Sequence, residues 1–192
     1  MSREAAGITP SVVVFDIGNV LIRWDPRNLY RKLFDGDRAR MEWFLANICT
    51  DAWNLEPDRG RSFAEAVAER IALFPDWEAY IRAYHERWRE TLGGEIAENV
   101  ALLARLERLA VPLYAITNYS AEQFVLTRTL FPFLTTFRNI VVSGTVRLVK
   151  PDPPIYRLFL ERHALAPAST LFIDDSLANV RGAEEAGMQT IH

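Results

Sequence analysis

The chain has 192 residues, 49% of them hydrophobic and 24% charged, which is enough for one folded core with an inserted second unit. The net charge of −3 carries no signature of nucleic-acid binding, and the single cysteine excludes an intrachain disulfide and a cysteine-based zinc site. The first ten residues lack the apolar stretch of a signal peptide, and no segment approaches membrane-spanning length. We therefore expect a cytoplasmic protein without nucleic-acid or membrane partners.

Short apolar runs alternate with helical patterns along most of the chain. The first run, SVVVFD at 11–16, is continuous and β-branched, which is typical of a buried strand in a parallel sheet. Further strands are predicted, each after a helical pattern, at residues 111–117, 139–144, 170–175 and 189–192. This alternation predicts an α/β fold with a three-layer, Rossmann-like parallel sheet covered by helices on both faces.

The segment from residue 24 to residue 94 has a different character. Its apolar residues recur at spacings of three and four, no strand is evident, and Gly93-Gly94 provides a strong helix stop. We therefore predict an α/β core made of residues 1–23 and 95–192, interrupted by a helical unit at 24–94.

Polar side chains follow the predicted strands of the core. Beyond the apolar runs stand Asp16, Thr117-Asn118, Lys150 and Asp174-Asp175. Each has an ordinary explanation, as a turn residue, a strand end, a solvated charge or a helix cap. Ligands of open parallel sheets, however, bind beyond the carboxyl ends of the strands, so four such groups at one edge favour a functional site.

The charges of this group indicate its chemistry. The carboxylates of Asp16, Asp174 and Asp175 would repel one another, and Mg²⁺ would remove that conflict, since it favours oxygen ligands and phosphate partners. Lys150 and the Thr117-Asn118 pair would then hold the oxygens of a phosphate dianion. Asp16, at the centre, would attack phosphorus.

Four segments, in this order and spacing, resemble motifs of the haloacid dehalogenase-like (HAD) superfamily of hydrolases, in its branch with a helical cap after the first strand. They are VVVFDIGNVL, AITN, KPDPPIY and FIDDSLANVRGAEEAGM. The resemblance covers nearly the whole chain and implies that residues 24–94 are a cap that closes over the site and selects the substrate. For the site it implies a nucleophile, Asp16; phosphoryl contacts, Thr117 and Asn118; a lysine holding both nucleophile and phosphate, Lys150; and metal ligands, Asp174 and Asp175.

One position departs from the family pattern. Phosphatases of this family usually carry a second Asp two residues after the nucleophile, where this chain has Gly18. The Gly18 carbonyl can still bind the metal, but an acid/base group worth roughly 10²–10⁴-fold in rate is missing. The D-x-G-N-V pattern resembles sugar-phosphate phosphatases, so Gly18 does not by itself indicate an inactive enzyme. We hypothesise that Asp25 supplies the proton; the alternative is that Asp25 caps the first cap helix.

These observations predict a Mg²⁺-dependent phosphatase that cleaves a small phosphate monoester, with sugar phosphates among the candidates, through an aspartyl-phosphate. The expected partner is a small phosphorylated metabolite, and the expected state a monomer or homodimer. One alternative is a metal-independent 2-haloacid dehalogenase. Such an enzyme, like this chain, has no second Asp, but unlike this chain it has no paired acids at the positions of Asp174 and Asp175. Another is a catalytically weak binding or regulatory module on the same fold.

Overall fold

The computed structural model describes residues 9–192; the prediction that the chain begins without a signal peptide falls largely on residues 1–8, outside this range. Its centre is a five-stranded sheet in which every neighbouring pair is parallel. The strands, in their order across the sheet, are β5 (Asn139–Val142), β4 (Leu113–Thr117), β1 (Val12–Phe15), β6 (Thr170–Ile173) and β7 (Gln189–Ile191). The predicted parallel sheet is thus confirmed.

Helices cover both faces of this sheet. Alternate residues of β1 enter different apolar clusters, Val13 and Phe15 on one face, Val12 and Val14 on the other. The helices of the core are α6 (Ala97–Arg108), α7 (Ala121–Leu130), α8 (Ser143–Val146), α9 (Pro153–Arg162) and α10 (Leu177–Glu185). Side chains of α6 and α7 fill the first cluster and those of α9 and α10 the second, which completes the three layers.

The third predicted strand, 139–144, ends earlier than expected. Residues 143–146 form the short helix α8, because both of its first residues bond to Tyr119. The hydroxyl of Ser143 accepts from the Tyr119 N–H at 2.9 Å, and the N–H of Gly144 donates to the Tyr119 carbonyl at 3.0 Å. These contacts draw the chain out of the sheet at Val142.

The segment between β1 and α6 contains five α-helices with an apolar core of their own. They are α1 (Arg27–Leu33), α2 (Arg38–Asn47), α3 (Asp51–Asp58), α4 (Phe63–Leu73) and α5 (Glu78–Glu86). Their buried aromatic side chains include Tyr30, Phe44 and Tyr84. The helical character is as predicted, whereas the boundaries at 24 and 94 stay a prediction. No helix within residues 9–192 is long and apolar enough to cross a bilayer.

Two short strands correct the expectation that no strand occurs near the ends of the helical unit. Strand β2 (Ile22–Trp24) pairs antiparallel with β3 (Leu92–Glu95), which includes the glycines predicted to stop a helix. A Cβ at Gly93 would meet the Arg23 Cβ at 3.0 Å, so glycine permits this close pairing. The strands are too short to show an alternation of apolar and polar residues. Each pairs with a strand at the opposite end of the helical unit. The pair therefore holds the two connecting segments side by side.

A close approach between α10 and the Lys150–Pro151 loop gives a stability prediction. A Cβ at Gly182 would collide with the Pro151 carbonyl oxygen and meet the Tyr156 ring at 3.1 Å. We expect Gly182→Ala to lower the free energy of unfolding by about 1–3 kcal/mol, as overpacking does elsewhere. The matched control is Gly18→Ala, since no atom lies within 4 Å of a Cβ there. Urea unfolding of both variants is the measurement, and equal stabilities would contradict the prediction.

Candidate active site

Asp16 is the first residue after β1 and is buried, with its N–H donating to the Ile173 carbonyl at 2.8 Å. The chain then turns sharply toward β2. Asn19 adopts φ +53°, a left-handed conformation that asparagine tolerates better than most residues, and its Oδ1 accepts from the Trp24 N–H at 2.9 Å. This turn explains the asparagine of the first motif.

Lys150 joins two of the predicted carboxylates. Its Nζ lies 2.8 Å from Asp16 Oδ1 and 2.6 Å from Asp174 Oδ2, and the residue is only 2% exposed. Burial alone would lower the pKa of Lys150, but the two carboxylates outweigh it and raise that pKa. Lys150 is therefore a buried, charged ammonium that holds Asp16 in place.

The predicted acidic cluster forms at this edge of the sheet. Carboxylate oxygens of Asp16, Asp174 and Asp175 all lie within 4.8 Å of one another. Burial raises the pKa of Asp16 to about 6, against the effect of Lys150 and with a further rise from Asp174. Burial, followed by Asp174, also raises the pKa of Asp175. These oxygen donors carry more negative charge than the one lysine can neutralise. Such a set fits Mg²⁺.

Asp174 and Asp175 differ in their surroundings. Asp174 is buried, and its Oδ1 accepts from the Ser176 N–H at 2.8 Å and from Asn179 Nδ2 at 3.0 Å. Asp175 is exposed. The first carboxylate is therefore fixed in orientation, whereas the second remains accessible to an ion.

Asn118 has a role that the sequence did not reveal. Its Oδ1 accepts from the Lys150 N–H at 2.8 Å, and its Nδ2 donates to the Lys150 carbonyl at 2.9 Å. These bonds tie the end of β4 to the loop that carries Lys150 and occupy the side-chain amide. A phosphoryl contact from Asn118, which stays a prediction, would fall to its backbone N–H. Thr117, buried at the end of β4, keeps a hydroxyl without a hydrogen-bond partner among the described residues.

The contacts of Asp25 favour its capping alternative. Its Oδ1 accepts from the Arg27 N–H at the start of α1 at 2.9 Å and lies 3.4 Å from Arg27 Nη1. The side chain lines an open groove with Arg23 and Asp51, whereas Gly18 lines a different cavity. The predicted catalytic role of Asp25 therefore gains no support from its contacts.

A cavity of about 190 Å³ lies beside Gly18, between the sheet edge and the helical unit. Its aromatic walls are Trp24, Trp88 and Tyr119, and its other lining residues are Gly18, Asn54, Asp58, Asn118 and Gln123. The Nε2 of Gln123 is buried there without a hydrogen-bond partner in the described chain. Sequence reasoning missed Asp58, since nothing in the helical pattern of α3 separates it from a solvated acid.

The fold and these groups define an enzyme of the Rossmann-like α/β class, with its acidic site at the carboxyl edge of a parallel sheet. Residues 57–192 match the family of haloacid dehalogenase-like hydrolases. The chain belongs to this family and is a hydrolase, as the sequence motifs predicted.

Several relatives extend this comparison. The chain is 27% identical to a sesquiterpene phosphatase of Aspergillus oryzae, covering 96% of this chain and 90% of the relative. It is 26% identical to a phosphorylated carbohydrates phosphatase of Thermotoga maritima, covering 94% and 83%. A HAD family enzyme of Bacteroides thetaiotaomicron, solved with magnesium and inorganic phosphate, superposes with a TM-score of 0.71 at 23% identity over 96% of this chain and 93% of that one.

Proposed function

We propose that this hydrolase is a Mg²⁺-dependent phosphatase that cleaves a small phosphate monoester through an aspartyl-phosphate on Asp16. The observation that carries the proposal is the position of Lys150 Nζ, in contact with both Asp16 and Asp174 beside the three-carboxylate cluster. The phosphatase relatives and the magnesium and phosphate bound by the Bacteroides enzyme support it.

Mg²⁺ would be held by the carboxylates of Asp16, Asp174 and Asp175 and by the Gly18 carbonyl. When bound, it supplies positive charge that stabilises the phosphoryl oxygens. The donor set contains only oxygen ligands, which matches the preference of this ion.

Protein side chains and backbone groups would carry out the attack and hold the phosphoryl oxygens. The free carboxylate oxygen of Asp16 attacks phosphorus, while Lys150 holds the nucleophile and attracts a phosphoryl oxygen. The Thr117 hydroxyl and the Asn118 N–H donate to further phosphoryl oxygens. We further propose that residues 24–94 act as a cap, whose Trp24 and Trp88 exclude water from the cavity.

The test is a panel of phosphorylated metabolites, assayed for phosphate release with and without Mg²⁺. We expect activity toward at least one ester and an enzyme-bound acyl phosphate, detected by intact mass after acid quenching. Failure to release phosphate from any ester, together with no phosphoenzyme, would contradict the proposal and favour a binding or regulatory module.

Removal of the metal gives a separate prediction. Dialysis against a chelator should abolish phosphate release, because the clustered carboxylates then repel the substrate dianion, and added Mg²⁺ should restore it. Ca²⁺ is the matched control, since it binds the same oxygen ligands with a looser geometry and should restore less activity.

Gly18 is the specific observation that favours a second candidate, a 2-haloacid dehalogenase in which Asp16 attacks carbon. Halide release from 2-haloacids that survives chelation would support this function. The three acidic side chains within 4.8 Å of one another argue against it, because an uncharged carbon centre needs no such cluster.

A further inference from the structure

We propose that Asp58 of α3 supplies the acid/base function that Gly18 lacks. In this role it protonates the leaving oxygen of the substrate and then activates the water that hydrolyses the aspartyl-phosphate. The inference rests on the proposed phosphatase function and concerns a residue of the helical unit rather than of the four sequence motifs.

Asp58 and Gly18 line the same cavity of about 190 Å³, so Asp58 borders the space beside position 18, where the family's second Asp is missing. Asp58 is 9% exposed. No ion pair among residues 9–192 involves it, in contrast to Asp25 with Arg27 and Asp174 with Lys150. Asp58 is therefore a buried carboxyl without an ion-pair partner in the described part of the chain.

The end of α3 is docked onto the core, which fixes the position of Asp58. Gly60 adopts φ +93°, and a Cβ there would meet the Gly144 carbonyl oxygen at 3.0 Å and Arg147 Cγ at 2.8 Å. Only glycine tolerates both this conformation and this approach. The connection from α3 to α4 thus rests against α8, beside the end of the sheet.

The surroundings of Asp58 suit proton transfer in both directions. The pKa of Asp58 is raised to about 7, first by burial and then by Asp16, against the lowering effects of Lys150 and the Ser120 N–H. Among the described residues, Tyr84 and Tyr119 also interact with its charge, and their own pKa values are raised mainly by burial. Both protonation states of Asp58 are then accessible near neutral pH, as a residue acting first as acid and then as base requires.

The reaction proceeds in two steps. An Asp16 oxygen bonds to phosphorus, the bond from phosphorus to the ester oxygen breaks, and that oxygen takes the Asp58 proton to leave as an alcohol. Water then attacks the phosphorus of the aspartyl-phosphate and gives a proton to the Asp58 carboxylate. The bond from phosphorus to Asp16 breaks, which releases inorganic phosphate and regenerates both aspartates.

The central test compares Asp58→Asn with the matched control Glu56→Gln, an exposed carboxylate on the same helix. With the most active sugar phosphate of the panel, Asp58→Asn should lower kcat by roughly 10²–10⁴-fold, while Glu56→Gln should not. With p-nitrophenyl phosphate, whose leaving group needs no proton, Asp58→Asn should still release a burst of nitrophenolate. The aspartyl-phosphate should then accumulate, because its hydrolysis lacks a base.

Two further measurements separate catalysis from structure. Asp58→Glu should recover part of the activity and retain the pH dependence of kcat that Asp58→Asn loses. Gly18→Asp in the Asp58→Asn background should restore turnover, since a Cβ at Gly18 meets no atom within 4 Å. Urea unfolding of each variant verifies that it is folded.

The outcomes distinguish this inference from the proposed function. The role of Asp58 alone would be overturned if the wild-type enzyme is active and Asp58→Asn has an unchanged kcat on the sugar phosphate and accumulates no phosphoenzyme. Wild-type enzyme that neither releases phosphate nor forms a phosphoenzyme would overturn both. If Asp58→Asn does not fold, Asp58→Glu decides. A lowered kcat that keeps its pH dependence would support an acid/base at position 58, whereas wild-type kcat with an unchanged pH profile would overturn it.

Discussion

Asp16→Asn is expected to abolish turnover of every phosphate ester while leaving the protein folded. The substitution removes the attacking oxygen, so no aspartyl-phosphate can form. We expect kcat to fall by at least about 10⁴-fold, which corresponds to about 5 kcal/mol of transition-state stabilisation. Lys150 retains its 2.6 Å contact with Asp174, so the buried ammonium keeps a partner. Kinetics with the best ester of the panel and intact mass after quenching are the measurements.

The control for this prediction is Asp152→Asn. Asp152 is exposed, stands two residues from Lys150 and makes no side-chain hydrogen bond to cap α9. It should retain wild-type turnover and phosphoenzyme formation. Turnover by Asp16→Asn above about one hundredth of wild type, or a phosphoenzyme in that variant, would assign the nucleophile to another residue.

Lys150→Met should cost both activity and stability. It removes the one cation in the described part of the chain that contacts Asp16 and Asp174. Removal of one partner from a buried ion pair typically costs about 3–5 kcal/mol. Urea unfolding at pH 8 should report this loss. Added Mg²⁺ should stabilise the variant more than the wild type, because the ion then neutralises carboxylates that have lost the ammonium.

The pH dependence of this loss has a definite sign. Burial already raises the pKa of folded Asp16 to about 6 from 3.8, and loss of Lys150 raises it further. A carboxyl whose folded pKa is raised favours the folded state at low pH and loses that advantage as pH rises through the folded value. The destabilisation by Lys150→Met should therefore be largest at pH 8 and shrink toward pH 4.

Lys32→Met is the matched control, since the exposed Lys32 pairs with Glu90 at 2.8 Å on the surface. Exposed pairs contribute about 0–1 kcal/mol, so the control should change stability little at either pH. A pH-independent loss in Lys150→Met would show that the lysine acts through packing rather than through its charge.

The core fold could be predicted because its signals are local and redundant. Parallel strands buried on both faces, such as Val12–Phe15, are continuous apolar runs, and alternation with helical patterns leaves few possible topologies. The carboxyl ends of such strands meet at one edge, which is why Asp16 and the pair after β6 could be placed together from the sequence.

Other features could not be predicted, because they depend on contacts between distant segments. Strands β2 and β3 have three and four residues, too few to show a period, and exist by pairing with each other. The Asn118 amide is occupied by the Lys150 backbone, a contact that no spacing indicates.

The sequence by itself determined the parallel α/β core, the helical unit and the acidic, lysine-containing edge, because periodicity and strand direction require only neighbouring residues. Only the tertiary structure decided which carboxyl faces the cavity beside Gly18. Asp58 acquires its burial and its shifted pKa from the docking of α3 against a sheet edge distant in the chain. Desolvation and charge proximity are properties of the assembled fold, and no local pattern encodes them.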